Sequence, residues 1–209
     1  MNRLLQDVAT YYSVKLRQHG PTPRGVDWNS EDAQLLRFSQ LLRVVPDRSG
    51  FSINDLGCGY GRLLDYMTAS GYRDFRYQGY DLALDMVQTA RQQHPDRPES
   101  LFLTIAHPGE MAVADYTIAS GVFNVRLHYS ESEWLSYLHQ TLEQMSARSV
   151  TGFAFNALTC YSDRDCMRDD LYYADPCHLF DYCKRHFARN VALLHDYGLY
   201  EFTLLIRKS

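Results

Sequence analysis

The sequence predicts an α/β domain on a mostly parallel sheet, and three observations carry that prediction. From Phe51 onward, short apolar runs alternate with helical stretches, the pattern of consecutive strand–helix–strand units. A glycine-rich turn, Gly57-Cys-Gly59-Tyr-Gly61, sits between the first apolar run and the helix after it. The last two apolar runs, Val191–His195 and Tyr200–Ile206, are joined by Asp196-Tyr-Gly-Leu199, a gap suited to a hairpin, so one strand at the end turns antiparallel.

Before Phe51 the spacing predicts two helices around a loop. Leu4, Leu5, Val8, Tyr11, Tyr12 and Leu16 recur at helical spacing, giving a helix over Leu4–Gln18. The Gly- and Pro-rich loop His19–Trp28 follows, and Asn29 or Ser30 caps a helix from Glu31 to about Val44. Strands are expected at Phe51–Leu56, Phe75–Tyr80, Phe102–Ile105, Asp115–Ala119 and Thr151–Asn156. Between and after them, helices are expected at about Tyr60–Ser70, Leu84–Gln93, Glu131–Met145 and Cys177–Phe187. Leu158–Pro176 has no clean period and reads as a long loop. The expected organisation is an N-terminal helical lid or extension over residues 1–45 and one α/β domain over 46–209.

A chain of 209 residues suits one domain, able to bury roughly 70% of its unfolded surface. The 16 Tyr, 10 Phe and 2 Trp exclude disorder for most of the length. The net charge is −4, and no run of three basic residues occurs, which argues against a nucleic-acid partner. The N-terminal stretch is polar and amphipathic rather than a signal peptide, and no apolar window is long enough for a membrane span. Five Cys without an export signal point to free thiols and a cytoplasmic location. The spacings Cys160-x5-Cys166 and Cys177-x5-Cys183 do not fit zinc ligand pairs, so no metal is expected.

The strongest motif is Asp55-Leu-Gly57-Cys58-Gly59-Tyr-Gly61 between a strand and a helix. Glycines there let the backbone turn sharply and approach a ligand, while the helix N-terminus offers free N–H groups. The spacing is G-x-G-x-G; the dinucleotide fingerprint needs a third Gly at position 62, which is Arg. Asp81 ends the next strand, where an acid can accept hydrogen bonds from both ribose hydroxyls of a nucleoside. A bare strand–helix turn with a solvated acid is the simpler alternative, but the three features together disfavour it.

On these residues the chain resembles the class I S-adenosylmethionine-dependent methyltransferases, from about Phe51 to the C-terminus. Their first motif is matched by Asp55, Gly57, Gly59 and Gly61, and their ribose-binding acid by Asp81. The resemblance implies a Rossmann-like seven-stranded sheet with a C-terminal antiparallel hairpin and helices on both faces. It implies S-adenosyl-L-methionine as cofactor, with Gly57, Cys58 and Gly59 at its amino-acid end and Leu82 beside the adenine. The adenine-amine contact is left unassigned in Ala106–Glu110. Ser120, Phe123 and Asn124 lie in the segment that borders the methyl group in this family. The Asp/Asn-Pro-Pro-aromatic tetrad of adenine methyltransferases is absent there, which favours a small-molecule O or N acceptor over a nucleic-acid base.

Two irregular segments supply candidates for lid and pocket: Tyr11, Tyr12 and Trp28 from the first, Asn156, Tyr172 and Tyr173 from the second. Packing is the alternative for Trp28, and a salt-bridged surface for the charged part of the second segment. Candidates for a general base are His19, Tyr161 and His195, none of them compelling. Tyr11, Tyr12, Tyr60, Tyr161, Tyr172 and Tyr173 fall in segments expected around the cofactor; Tyr66, Tyr77, Tyr116, Tyr137 and Tyr182 fall on regular elements and read as packing. Two other functions stay open: a cofactor-binding but non-catalytic module of the same fold and, against the glycine spacing, a nicotinamide-dependent oxidoreductase.

Overall fold

The computed structural model describes residues 3–97 and 100–208. Helix α1 (Arg3–His19) leads through a tight turn at Pro23–Val26 into α2 (Glu31–Leu41). The Ser30 hydroxyl caps α2 by accepting from the Ala33 amide. The helix stops short of Val44 and tightens into a single 3-10 turn over Leu42–Val44. Pro46 explains the stop, because the residue before a proline is pushed to extended geometry and Val45 adopts it.

The rest alternates as the sequence predicts: β1 (Ser49–Leu56), α3 (Arg62–Ala69), β2 (Arg73–Asp81), α4 (Leu84–Gln93), β3 (Ser100–Thr104) and β4 (Ala114–Ala119). Then come α5 (Glu131–Ala147), β5 (Ser149–Leu158), α6 (Pro176–His186), β6 (Asn190–Leu194) and β7 (Glu201–Arg207). Helix α3 begins at Arg62 rather than Tyr60 because Gly59 and Gly61 take left-handed conformations and keep the turn open until then. Pro176 occupies the first turn of α6, and the Asp175 carboxylate accepts from the Cys177 and His178 amides.

The seven strands form one sheet in the order β3-β2-β1-β4-β5-β7-β6. All neighbours are parallel except β7, which runs antiparallel to both β5 and β6. The chain winds outward from β1 to β3, then crosses back to place β4 on the other side of β1. That reversal opens a crevice beyond the carboxyl ends of β1 and β4, where open α/β sheets bind ligands.

Apolar layers cover both faces of the sheet. On one, Ile53, Tyr77 and Ile118 pack with Leu64 and Met67 of α3 and Leu41 of α2. On the other, Phe153, Phe155 and Leu204 pack with Leu138 and Leu142 of α5 and Leu179 of α6. Helix α1 is tied down by its apolar stripe: Leu4, Leu5 and Val8 pack on Trp134, and Leu16 packs on Ala83 and Met86. Trp134 is fully buried and donates from Nε1 to the Phe123 carbonyl at 2.9 Å. Among the described residues, no helix is long and apolar enough to cross a membrane.

Candidate functional site

The glycine turn after β1 is fastened to the end of β2. The amides of Gly57 and Cys58 both donate to the Tyr80 carbonyl, at 2.7 and 3.0 Å. The Asp81 carboxylate then grips both sides of the crevice, accepting from the Gly59 amide at 2.9 Å and the Ala83 amide at 2.8 Å. Side chains could not replace these glycines without cost. A Cβ on Gly57, at φ +75, would lie 2.6 Å from a Val122 methyl, and one on Gly59, at φ +55, would lie 3.1 Å from Val26.

Two carboxyl groups face this crevice, and neither forms an ion pair among the described residues. Asp55 is buried and accepts from the Tyr77 hydroxyl. Burial pushes its pKa up to about 7, against the Tyr77 hydrogen bond and helped by the nearby Asp81 charge. Burial also raises Asp81, while the amides of Ala83 and Gly59 pull it back. Above neutral pH the crevice therefore concentrates negative charge that would be relieved by a cationic ligand.

The pH consequence has a definite sign. A carboxyl raised in the folded state binds protons there that the unfolded chain has already released, so it lowers stability as pH rises from about 4 to 7. Asp55→Asn removes this titration. Urea denaturation across that range should show the variant gaining on the wild type as pH rises; a constant difference would contradict the assignment.

The crevice walls include the glycine turn, Asp81-Leu82, Ser120-Gly121-Val122, α1 through Val8 and Tyr12, the loop through Val26 and Trp28, and Phe38 of α2 and Tyr137 of α5. About 910 Å³ is free of protein atoms there, counting the part open to solvent. The Ser120 hydroxyl is buried here without a hydrogen-bond partner among the described residues. Trp28 closes the crevice over Gly121, whose Cβ would stand 2.3 Å from the indole ring.

Behind Trp28 runs a closed ring of interactions. The Gly121 amide donates to Asn156 Oδ1 at 2.8 Å, and Asn156 Nδ2 donates to Glu201. Glu201 is held by Arg37 through Nε and Nη2, at 2.8 and 2.7 Å. The Arg37 guanidinium stacks on Trp28 at 3.9 Å from the ring centroid, and Trp28 rests on Gly121. A second clasp joins α1, the first loop and the long loop after β5. Asp27, at φ +61, accepts from the Tyr11 hydroxyl, Lys15 Nζ and Arg168 Nη1 at 2.8, 2.7 and 3.1 Å. Burial alone would raise Asp27, but its hydrogen bonds to Lys15 and Tyr11 and the Arg168 charge hold it below the usual carboxylate range.

The structure brings many of the expected residues together. Tyr12, Trp28, Asp55, Gly57, Cys58, Gly59, Tyr60, Asp81, Leu82 and Ser120 line one crevice. Gly61 instead packs on His94 and Phe102 at the head of α3. Phe123 is fully buried in the core. Asn124 faces a neighbouring cavity and accepts from the Leu158 amide, and Asn156 belongs to the buried ring. Tyr11 joins the Asp27 clasp, Tyr172 packs near Trp134, and the Tyr173 hydroxyl accepts from the Arg168 amide. His19 ends α1 on the outer face, while Tyr161 is 67% exposed with its ring 6.0 Å from that of His195; none of the three lines the crevice.

Two tyrosines read as packing do pack in the core and also reach the crevice region: Tyr137 lines it, and the fully buried Tyr77 donates to Asp55. Tyr77 could have been found, because parallel pairing of β1 and β2 sets it near Asp55. Arg37 and Glu201, 164 positions apart, carry no local signal.

A reversed final strand, a glycine turn after β1 and an acid ending β2 define a class I methyltransferase fold. No family model matches the chain. A protein of Mycobacterium tuberculosis (strain ATCC 25618 / H37Rv), named "Putative methyltransferase Rv1506c", is 52% identical over 168 residues, which is 80% of this chain and 99% of that protein. The chain belongs to this methyltransferase family. Solved structures agree on the fold. Magnesium protoporphyrin IX methyltransferase from Synechocystis PCC 6803, with bound SAM, superposes with a TM-score of 0.67 at 13% identity, over 100% of this chain and 99% of that one. The DhpI-SAM-HEP complex gives 0.67 at 11% identity, over 99% of each chain. Human N-acetylserotonin methyltransferase in complex with SAM gives 0.58 at 18% identity, over 99% of this chain and 67% of that one.

Proposed function

We propose that this protein binds S-adenosylmethionine in the crevice and transfers its methyl group to an O or N atom of a small-molecule acceptor by in-line displacement. The observation that carries the reading is the pair of acids without ion-pair partners among the described residues, Asp55 and Asp81, set around a turn whose glycines take left-handed backbone angles that side chains rarely adopt. The buried Ser120 hydroxyl also suits a polar ligand. The cofactor supplies an electrophilic methyl on a cationic sulfur. Asp81, already held by two backbone amides, accepts the ribose hydroxyls, and Leu82 packs beside the adenine. Gly57, Cys58 and Gly59 border the amino-acid end. Tyr12, Trp28 and Tyr137 exclude water from the crevice, and aromatic faces beside a desolvated cation contribute about 1–2 kcal/mol. The location is taken as cytoplasmic, on the ground that all five Cys are free.

Calorimetry with S-adenosylhomocysteine tests the cofactor assignment, and no heat of binding at near-millimolar ligand would end it. Asp81→Ala should weaken binding about 5- to 150-fold, from loss of hydrogen bonds worth about 1–3 kcal/mol. The same variant removes a desolvated charge but also the acceptor of the Gly59 and Ala83 amides, so its melting temperature should fall only modestly. A variant that melts earlier and binds normally would make Asp81 structural.

A further inference from the structure

His94 caps the C-terminus of α4 and lies against Gly61, the third glycine of the turn. Its backbone amide donates to the Ala90 carbonyl at 3.1 Å, and Nδ1 reaches the same oxygen at 2.8 Å. Nε2 lies 3.0 Å from Oδ1 of Asp65 on α3. The His94 side chain is only 4% exposed. A Cβ on Gly61, at φ +90, would stand 2.7 Å from Cε1 of the imidazole, the carbon between those two nitrogens. The two hydrogen bonds therefore fix the edge of the ring on which Gly61 rests.

Both partners of the ring are acceptors. A backbone carbonyl has no hydrogen to give, and Asp65 is held ionised: its hydrogen bond to His94 keeps its pKa below the usual carboxylate range against partial burial, with the Arg62 charge adding to the effect. Only an imidazolium carries an N–H on each nitrogen, so the charged ring satisfies both partners and the neutral ring does not. The Asp65 hydrogen bond in turn holds the His94 pKa above the ordinary imidazole range; burial opposes this, the Ala90 carbonyl supports it, and the Arg97 charge opposes it. From α3, Asp65 also pairs with Arg62 Nη1 at 3.5 Å, and Arg62 reaches Glu31 of α2. Arg97, from the loop before β3, donates to the Thr68 hydroxyl at 3.2 Å. The glycine turn and β3 present Gly61 and Phe102 to the ring.

This clamp reaches the crevice by two short paths. The Gly61 amide donates to the Cys58 carbonyl at 2.9 Å, and the Gly61 carbonyl accepts from the Leu64 amide at 3.1 Å, so Gly61 joins the crevice-lining part of the turn to the head of α3. The imidazole also lies beside Phe102, with ring centroids 5.3 Å apart, and Phe102 packs on Tyr77 at 5.6 Å, the residue that donates to Asp55. A neutral ring would turn a lone pair toward either Ala90 or Asp65. One hydrogen bond would become a contact between two acceptors, and the edge that supports Gly61 would shift.

We propose that His94, as an imidazolium, is a positioning residue that holds the glycine turn in shape for the cofactor, and that loss of its proton at alkaline pH weakens cofactor binding. The inference rests on the cofactor reading above. The sign is opposite to that of the crevice acids. A histidine whose folded pKa is raised gives its full support below the ordinary imidazole pKa and loses it as pH rises through the raised one. Asp55 ionises near neutral pH, and the negative charge it gains favours a cationic ligand. The two groups therefore pull the affinity in opposite directions as pH rises.

Calorimetry with S-adenosylhomocysteine on wild type and His94→Gln, from about pH 6 to about pH 9, separates them. The ratio of the two dissociation constants at each pH cancels the titration of the ligand and of both crevice acids. The variant should bind roughly tenfold more weakly at the acid end, as expected for a lost charge-assisted hydrogen bond, and the ratio should close toward one at the alkaline end. By reciprocity, bound S-adenosylhomocysteine should raise the proton affinity of His94 by the same factor, read by nitrogen NMR titration of the ring with and without ligand. Should His94→Gln fail to fold, Asp65→Asn takes its place. It leaves the ring untouched, and should lower the proton affinity of His94 and show the same closing ratio above neutral pH. A ratio that stays constant with pH, a proton affinity unmoved by ligand, or a ring with one bare nitrogen at neutral pH would overturn the inference and leave His94 purely structural. Wild type that fails to bind S-adenosylhomocysteine would sink the cofactor reading and this role with it, whereas normal wild-type binding with a constant ratio would sink this role alone.

Discussion

Arg37→Met is expected to lose about 3–5 kcal/mol of unfolding free energy, among the largest effects of any single change in this protein. The cost does not measure the strength of the ion pair. The Glu201 side chain is 1% exposed and that of Arg37 9%, so removing the guanidinium strands a charge in a site that cannot hydrate it. Replacing both partners is a different experiment. Arg37→Met with Glu201→Gln keeps an oxygen for Asn156 and leaves no buried charge, so most of the loss should be recovered. Urea unfolding of wild type, single and double variants at neutral pH decides the matter. If the double variant were as unstable as the single one, the loss would come from the missing guanidinium stack on Trp28 rather than from the stranded carboxylate.

The Arg37–Glu201 pair matters beyond stability because of what it connects. Arg37 sits on α2, Glu201 on β7 and Asn156 on β5, while Gly121 follows β4 and Trp28 belongs to the loop before α2. Through them the N-terminal segment is locked to the ends of the strands that frame the crevice. The Asp27 clasp repeats the arrangement on the outer side, joining Tyr11 and Lys15 of α1 to Arg168 of the long loop. Both irregular segments that flank the site are thus held in place by charged groups, with the indole of Trp28 between the crevice and its neighbouring cavity.

The sheet and the glycine turn are legible in the sequence because both are written locally. Alternating apolar runs set the strands, and three glycines at fixed spacing demand left-handed backbone in a window of a few residues, as Gly57, Gly59 and Gly61 show. Asp81 was legible for the same reason, since it ends a strand whose neighbour carries the turn. Helix ends were less legible: α2 stopped early on Pro46, and α3 started late because Gly61 is still in the turn. What stayed hidden depends on contacts between distant segments. Tyr137 looks like any tyrosine on an amphipathic helix, and only the placement of α5 beside the crevice makes it part of the wall. Arg37 looks like one more basic residue on a surface helix, and only β7 beneath it makes it a buried partner of Glu201. His19, Tyr161 and His195 are base candidates by residue type alone, which does not encode direction, and the fold leaves all three exposed.

Gly121→Ala should cost about 2–5 kcal/mol and disturb the crevice and its neighbouring cavity together, by two separable effects. The first is backbone strain, since Gly121 sits at φ +74, where a Cβ costs about 1–2 kcal/mol. The second is collision, because that Cβ would lie 2.3 Å from the Trp28 ring, and forced repacking adds about 1–3 kcal/mol. Gly198 supplies the control: it has φ +70, but a Cβ there would meet nothing within 4 Å among the described residues. Gly198→Ala therefore carries the strain alone, and the difference between the two variants reads the Trp28 contact. Displacing Trp28 should also shift its fluorescence toward that of an exposed indole, with Trp134 contributing a constant buried signal, and weaken S-adenosylhomocysteine binding. Equal losses in the two glycine variants, with unchanged fluorescence, would mean that Trp28 does not rest on the end of β4. The wall between the crevice and its neighbouring cavity would then need another residue.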